Sequence, residues 1–198
     1  MKVPKSWKEV PLERYYNLLE VIDMEWEDDT EKVVAMVSAL ADVPLKDLTD
    51  KVDIKVLKQA IIDISFVGGK KPSYPCGLYL KCGGKGFEVD LKIKDSSAGS
   101  FISLSEFTKD PNTAKNNIHS IMAIYTYELN MFGFRKKRTV QSEKDIAEHL
   151  KKHLTMDKAF AYSGFFLTSY NRLLKATQDY LRSEQMKTLK EIQKVQRS

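Results

Sequence analysis

The residues whose spacing best suits chemistry are two histidines and an aspartate in the C-terminal half. Asp145, His149 and His153 recur every four residues, so a helix would place all three on one face. Two imidazoles at that spacing can bind a transition metal. The glutamate of an HExxH motif is missing, however, and no further ligand is evident in the neighbouring sequence. We therefore expect solvent-facing helix residues rather than a metal site, with His119 a third, isolated histidine.

A glycine-rich segment at residues 83–86 resembles a phosphate-binding loop at first sight. It lacks the GxxxxGK[ST] spacing, and it leads into alternating apolar residues instead of a helix N-terminus. The pattern therefore predicts the turn of a β-hairpin.

No other pattern suggests an enzyme. The acidic residues of the run 25–29 lie side by side, and nothing around them would separate the pKa values of an acid–base pair. The sequence contains no GxSxG motif, no Cys/His nucleophile pattern and no dinucleotide fingerprint. We predict no catalytic, cofactor-binding or metal-binding residues, and a protein that is not an enzyme.

Cysteine content and hydropathy indicate a location in the cytoplasm of the producing cell. Cys76 and Cys82 are the only cysteines, and we expect free thiols rather than a disulfide. The N-terminus lacks the apolar core of a signal peptide, and no stretch approaches the roughly 18 apolar residues of a membrane helix.

The net charge of +5 is unevenly distributed along the chain. Residues 1–65 contain 9 Lys/Arg and 14 Asp/Glu, whereas residues 66–198 contain 23 and 13. The strongest cationic feature is the basic segment Arg135, Lys136, Lys137 and Arg138. It can contact nucleic-acid phosphates or an acidic protein, or remain a solvated surface.

Hydrophobic periodicity predicts helices in the first third of the chain. Pro11 precedes an apolar face formed by Leu12, Tyr15, Tyr16, Leu19 and Ile22. A second helix is expected to be capped by Asp29 or Thr30, and a third by Asp53. Between these two helices, a single helical turn is expected after residues 43–45. The inward face of the third helix is expected to comprise Val56, Leu57, Ala60, Ile61 and Ile64.

The residue pattern in the middle of the chain is typical of a small β-sheet. Residues 78–80, the alternating residues 87–93 and residues 100–104 are predicted to be three short strands.

Helices are predicted again after Pro111. The first is expected to carry a stripe of apolar residues and to end at Gly133. A second is expected to begin with a Ser142/Asp145 capping box and to carry Ile146 and Leu150. A long helix should start at Thr155, with a possible break at Gly164, and its apolar face is expected to comprise Phe166, Tyr170, Leu173, Leu174 and Leu181. The stripe of the first helix comprises Ile118, Ile121, Met122, Tyr125, Leu129 and Phe132.

These elements predict an α+β, mainly α fold in one compact domain. Its parts are an N-terminal helical bundle (1–67), a small β-hairpin or three-stranded sheet insert (68–108) and C-terminal helices (109–181). The long last helix should protrude as a C-terminal arm (182–198), because residues 165–195 would span roughly 45 Å. An isolated terminal helix of this length is marginal in water, so we expect either that the arm frays or that a partner covers its narrow apolar stripe of Leu189, Ile192 and Val195.

Several segments together resemble small structural and tail-assembly proteins of tailed bacteriophages, especially the crAss-like phages of Bacteroidetes. The similarity extends over most of residues 6–175. The segments that carry it are 6–15, 31–40, 64–67, 81–87, 103–107, 117–124 and 161–167.

This resemblance implies a non-enzymatic virion protein, such as a ring or adaptor subunit at the portal–tail (head-to-tail) junction. It would be present in the host cytoplasm during assembly. Its partners would be portal, tail or neighbouring ring subunits, in a homo-oligomer and without a membrane. The alternatives are a tail-assembly chaperone absent from the virion, or a small nucleic-acid-binding accessory protein. The predicted contacts are the basic segment and the arm stripe.

Overall fold

The protein is described by a computed structural model that covers residues 1–72, 75–93 and 97–195. Between residues 183 and 195 only the backbone is described. The fold is α+β and mainly α, with a three-stranded antiparallel sheet, as the sequence predicts. The helices are α1 (Leu12–Asp23), α2 (Asp29–Ala41), α3 (Leu45–Lys51), α4 (Ile54–Asp63), α5 (Ala98–Phe107), α6 (Pro111–Asn116), α7 (Ile118–Ile124), α8 (Val140–His153) and α9 (Met156–Val195). The strands are β1 (Tyr79–Cys82), β2 (Lys85–Val89) and β3 (Thr126–Glu128).

The N-terminal helices form where the sequence predicts them, with small shifts. The side chain of Asp28, and not of Asp29 or Thr30, caps α2 by accepting a hydrogen bond from the Thr30 amide at 2.7 Å. Asp53 caps α4 as predicted. Ile22 and Val56 were expected to face the core but are exposed, and the residue that α4 buries is Ala60.

The glycine-rich segment is the turn of the β1–β2 hairpin, as predicted. Gly83 and Gly84 have φ angles of 54° and 76°, the left-handed values that a tight two-residue hairpin turn requires. At Gly83 a Cβ atom would lie 2.5 Å from the His153 ring. A glycine is therefore needed there for both the turn and its contact with α8.

Two of the strand predictions are wrong. β2 ends at Val89 instead of residue 93, since the Asp90 carboxylate accepts the Lys92 amide at 2.9 Å and turns the chain. Residues 100–104 belong to α5, whose Leu104 is fully buried on a helical face. The third strand is instead β3, which pairs Tyr127 with Glu88.

The predicted helix through residues 118–132 is also wrong in its second half. α7 ends at Ile124, and the Thr126 hydroxyl donates to the Met122 carbonyl at 2.7 Å. The open edge of β2 then takes up the following residues as β3, so tertiary pairing overrides helical periodicity. Phe132, expected in the apolar stripe, is 77% exposed.

The start of α8 differs from prediction, whereas its buried face agrees. Thr139 is the cap and Ser142 the reciprocal member of the capping box, so the predicted Ser142/Asp145 pair is displaced by one turn. Ile146 and Leu150 are buried as expected.

The last helix, α9, is 40 residues long and runs through Gly164 without a break. It would therefore measure about 60 Å. Tyr162, Phe166 and Tyr170 pack into the core, whereas Arg172 and Lys175 are exposed. The side chains of Leu181, Leu189, Ile192 and Val195 and the predicted helical residues 196–198 lie outside the described part of the chain.

The core is continuous from the N-terminal helices to α9. Trp7 forms edge-on aromatic contacts with Tyr15, Phe66 and Phe160, which ties the N-terminus to α1, to the 3₁₀ turn Ile64–Gly68 and to α9. At the centre, α7 is buried at Ile118 and at residues 121–124. This short helix is therefore almost entirely enclosed.

Burial of α7 predicts a large stability difference between two apolar truncations. Ile121→Ala, at a fully buried position, should lower the free energy of unfolding by about 2–5 kcal/mol because it leaves a cavity. Met131→Ala, at a position 90% exposed, should change it by less than about 0.5 kcal/mol. Urea denaturation measures both values, and equal effects would contradict the described packing.

Candidate interaction surface

A short hairpin between β3 and α8 presents three large apolar side chains to solvent. Met131, Phe132 and Phe134 are 90%, 77% and 70% exposed, and we call these three residues the apolar tip. Leu129 and Arg135 pair across the base of the hairpin. Contiguous exposed apolar groups of this kind commonly mark binding sites.

The backbone of the tip is held by Asn130. Its side-chain oxygen accepts hydrogen bonds from the backbone amides of Phe132 and Phe134 at 2.9 and 3.0 Å. Its own backbone amide donates to the Phe134 carbonyl at 2.9 Å. Gly133 closes the turn with a φ of 81°. Three exposed apolar side chains thus project from a turn whose backbone is held in place.

Three of the four residues in the basic segment bind acidic side chains of the same chain. Arg135 donates twice to Glu88 at 2.8 Å, and this pairing lowers the pKa of the Glu88 carboxyl. Lys136 donates to Glu128 at 2.8 Å, which likewise lowers the pKa of that carboxyl.

Arg138 completes the attachment of the hairpin to the body. It donates to Glu143 at 2.6 Å and to the Ala123 carbonyl at 3.2 Å, and the Arg135 guanidinium lies 4.3 Å from the Tyr127 ring centre. Lys137 is exposed and forms no ion pair with any residue that the structure describes. The basic segment therefore serves mainly to fasten the hairpin to the sheet and to α8.

The sequence suggested that both histidines of α8 face solvent, but only one of them does. His149 is half-buried, and its Nε2 lies 2.9 Å from the Cys82 carbonyl oxygen. His153 is exposed, and its ring contacts the His149 ring at a tilt of 47° with ring centres 4.6 Å apart, against the Gly83 turn. Asp145 bonds Gln141 instead of joining them. The pair supports the hairpin turn.

His119 is not isolated either. Its Nδ1 lies 2.7 Å from the Tyr16 hydroxyl, which also accepts the His119 amide at 3.4 Å. Burial, reinforced by nearby Lys151, lowers the pKa of His119 to about 4. This contact fixes α7 against α1.

The cysteines are separate thiols. Cys76 donates to the Ala161 carbonyl at 3.2 Å, whereas Cys82 is buried on β1. Burial raises the pKa of Cys82 to about 11, so this thiol stays protonated at neutral pH.

An open apolar cavity of about 480 Å³ lies beside the middle of α9. Leu91, Ile93, Phe165 and Leu173 contribute its apolar walls. Its polar lining residues among those that the structure describes are Lys92, Ser169 and Arg172, with no carboxylate or histidine among them. The groups that line it offer no acid–base pair.

Comparisons with protein-family models, with curated proteins and with solved structures give no match to this chain. Within the described ranges, no group of three or more His, Cys, Asp or Glu side chains is arranged to bind a metal ion. None of the helices in those ranges combines the length and apolar character needed to span a bilayer. The surface features of the chain are therefore the basis for inferring its function.

The Asn130 hydrogen bonds predict a local effect on the tip. Asn130→Ala should increase amide hydrogen exchange at residues 131–134 several-fold, with a loss of about 1 kcal/mol or less in global stability. Asn130→Asp keeps the accepting oxygen and should retain the slow exchange. Peptide-resolved exchange measured by mass spectrometry checks this, and unchanged exchange in the alanine variant would refute the role of Asn130.

The low pKa of His119 predicts a stability change in acid. An unfolded histidine takes up its proton near pH 6.5, whereas the folded one resists it down to about 4. The free energy of unfolding should therefore fall as the pH drops from 6.5 towards 4, by about 1 kcal/mol between pH 7 and 5 after allowance for partial exposure.

His119→Gln should remove most of this decrease, whereas His153→Gln, at an exposed position, should retain it. Denaturation curves at the two pH values measure the difference. An identical decrease in wild type and in His119→Gln would rule out His119 as its source.

Proposed function

We propose that the protein is a non-enzymatic assembly protein that binds other proteins through its apolar tip. The observation that carries this proposal is the exposure of Met131, Phe132 and Phe134 on a turn fixed by Asn130. Burying two phenylalanines and a methionine would remove several hundred Å² of apolar surface from water. A protein pocket is the natural environment for such a group.

The resemblance of the sequence to tailed-phage structural proteins supports a more specific proposal. We place the protein in the virion, as a ring or adaptor subunit at the portal–tail junction. In that setting the tip would contact a portal, tail or neighbouring ring subunit, and the C-terminal arm would supply a second contact. A tail-assembly chaperone would use the same tip transiently and would be missing from the particle.

Direct nucleic-acid binding is the less favoured alternative. Exposed phenylalanines beside a lysine can stack on unpaired bases. Three of the four cations that would neutralise phosphates are, however, paired with Glu88, Glu128 and Glu143. If nucleic acid were the ligand, binding should weaken steeply with salt and should be lost when residues 135–138 are changed to alanine.

The proposal predicts that the tip determines incorporation into phage particles. Quantitative mass spectrometry of purified particles and of the infected-cell lysate should find the wild-type protein in stoichiometric amounts in the particles. Phe132→Ser combined with Phe134→Ser should lower the particle-bound amount at least tenfold, because the apolar contact is lost.

A matched control changes two exposed apolar residues elsewhere. Ile54→Ser combined with Ile62→Ser, both on α4 and 60% and 63% exposed, should leave incorporation unchanged. Abundance in the lysate with absence from particles would favour the chaperone. Normal incorporation of the tip variant would overturn the role of the tip.

A further inference from the structure

We propose that the apolar tip of one copy docks on an acidic segment, residues 22–29, of a second copy, so that copies join head to tail. This inference rests on the assembly function proposed above and names the partner of the tip. The acidic segment connects α1 to α2.

The acidic segment combines apolar groups with exposed carboxylates. Ile22 and Met24 are 37% and 56% exposed, and Trp26 is half-buried. The Trp26 indole N–H donates to the Val21 carbonyl at 2.8 Å, which folds the segment back on the end of α1. The segment is thus an ordered surface and not merely a charged run.

Its carboxylates are available for a partner. Glu25, Glu27 and Asp29 are exposed and form no ion pair or hydrogen bond with any residue described in the structure. Asp28 is engaged only with the Thr30 amide as the cap of α2. Among the described residues these three charges have no ion-pair partner, and the Lys32 ammonium, which donates to the Ile22 carbonyl at 3.5 Å, offsets only part of the local negative charge.

The charge near the apolar tip has the opposite sign. Lys137 lies three residues after Phe134 in the same hairpin, beyond the Leu129–Arg135 pair, and its ammonium group has no carboxylate partner among the described residues. Each surface thus has an apolar centre and a charged edge, and the two edges differ in sign. Complementary edges steer association and select the matching surface.

In the part of the chain that the structure describes, no hydrogen bond or ion pair joins residues 22–29 to residues 131–137. Asp23, at the end of α1, pairs with Lys115 of α6, which precedes α7. The tip hairpin is held at the far end of α7, where Arg138 binds the Ala123 carbonyl. Contact between two different surfaces of identical chains is head to tail, which closes into a ring or continues as an open chain.

The size of the contact suggests a weak interaction between two copies. Two phenylalanines and a methionine can cover on the order of 500 Å² on one side. The total of about 1,000 Å² lies at the lower limit of specific interfaces. Association should therefore depend on concentration and weaken with salt.

The experiment measures mass in solution for the full-length chain by sedimentation velocity between 5 and roughly 500 µM, a range chosen for micromolar affinity. Wild type should form dimers and larger species. Phe132→Ser with Phe134→Ser, and separately Glu25→Lys with Glu27→Lys, should each remain monomeric. Ile54→Ser with Ile62→Ser should associate like wild type. Thermal melts establish that every variant is folded.

Mixing the two monomeric variants is the decisive measurement. The tip variant retains an intact acidic segment, and the acidic-segment variant retains an intact tip. An equimolar mixture should give one-to-one dimers and nothing larger, because only one head-to-tail contact can form. A monomeric wild type at the highest concentration, or a mixture that stays monomeric, would overturn the inference.

Particle incorporation and self-association in solution, measured together, distinguish a failure of the second-copy inference from a failure of the proposed function. If the tip variant is lost from particles while the wild-type chain does not self-associate, the tip binds a different protein and only the second-copy inference fails. If the tip variant enters particles normally, the proposed function itself fails.

Discussion

The enclosure of α7 is the constraint on which the rest of this fold depends. A helix of seven residues with apolar side chains on nearly every face is unstable in water, so it must be covered on all sides. α5, α8 and α9 supply that cover, and the Tyr16–His119 contact fixes its start against α1. Because the chain leaves this helix directly into β3, the same burial determines where the hairpin and its tip emerge.

The sequence was sufficient to predict those elements whose signals are local. Asp53 as a cap, the Gly83–Gly84 turn and the buried faces of α8 and α9 follow from capping, backbone freedom and periodicity. The fold class followed from the same patterns. In each case a few neighbouring residues contain the necessary information.

The errors arise where distant residues compete with a local pattern. Residues 125–132 continue an apolar stripe, yet the unpaired edge of β2 draws Thr126–Glu128 into the sheet. The helix therefore stops, and Phe132 moves from an expected core position to the surface. The tip could not be recognised before this pairing was known. The basic segment is visible in the sequence, but its carboxylate partners on β2, β3 and α8 are distant or unmarked there.

The Asn130 turn has a consequence for the thermodynamics of any association at the tip. A mobile loop must lose backbone freedom when it binds, and this opposes complex formation by an amount that grows with each residue ordered. Here folding has already fixed the amides of Phe132 and Phe134. A partner would restrict mainly the rotamers of three side chains, so a contact of limited area can retain a larger share of its hydrophobic free energy as affinity.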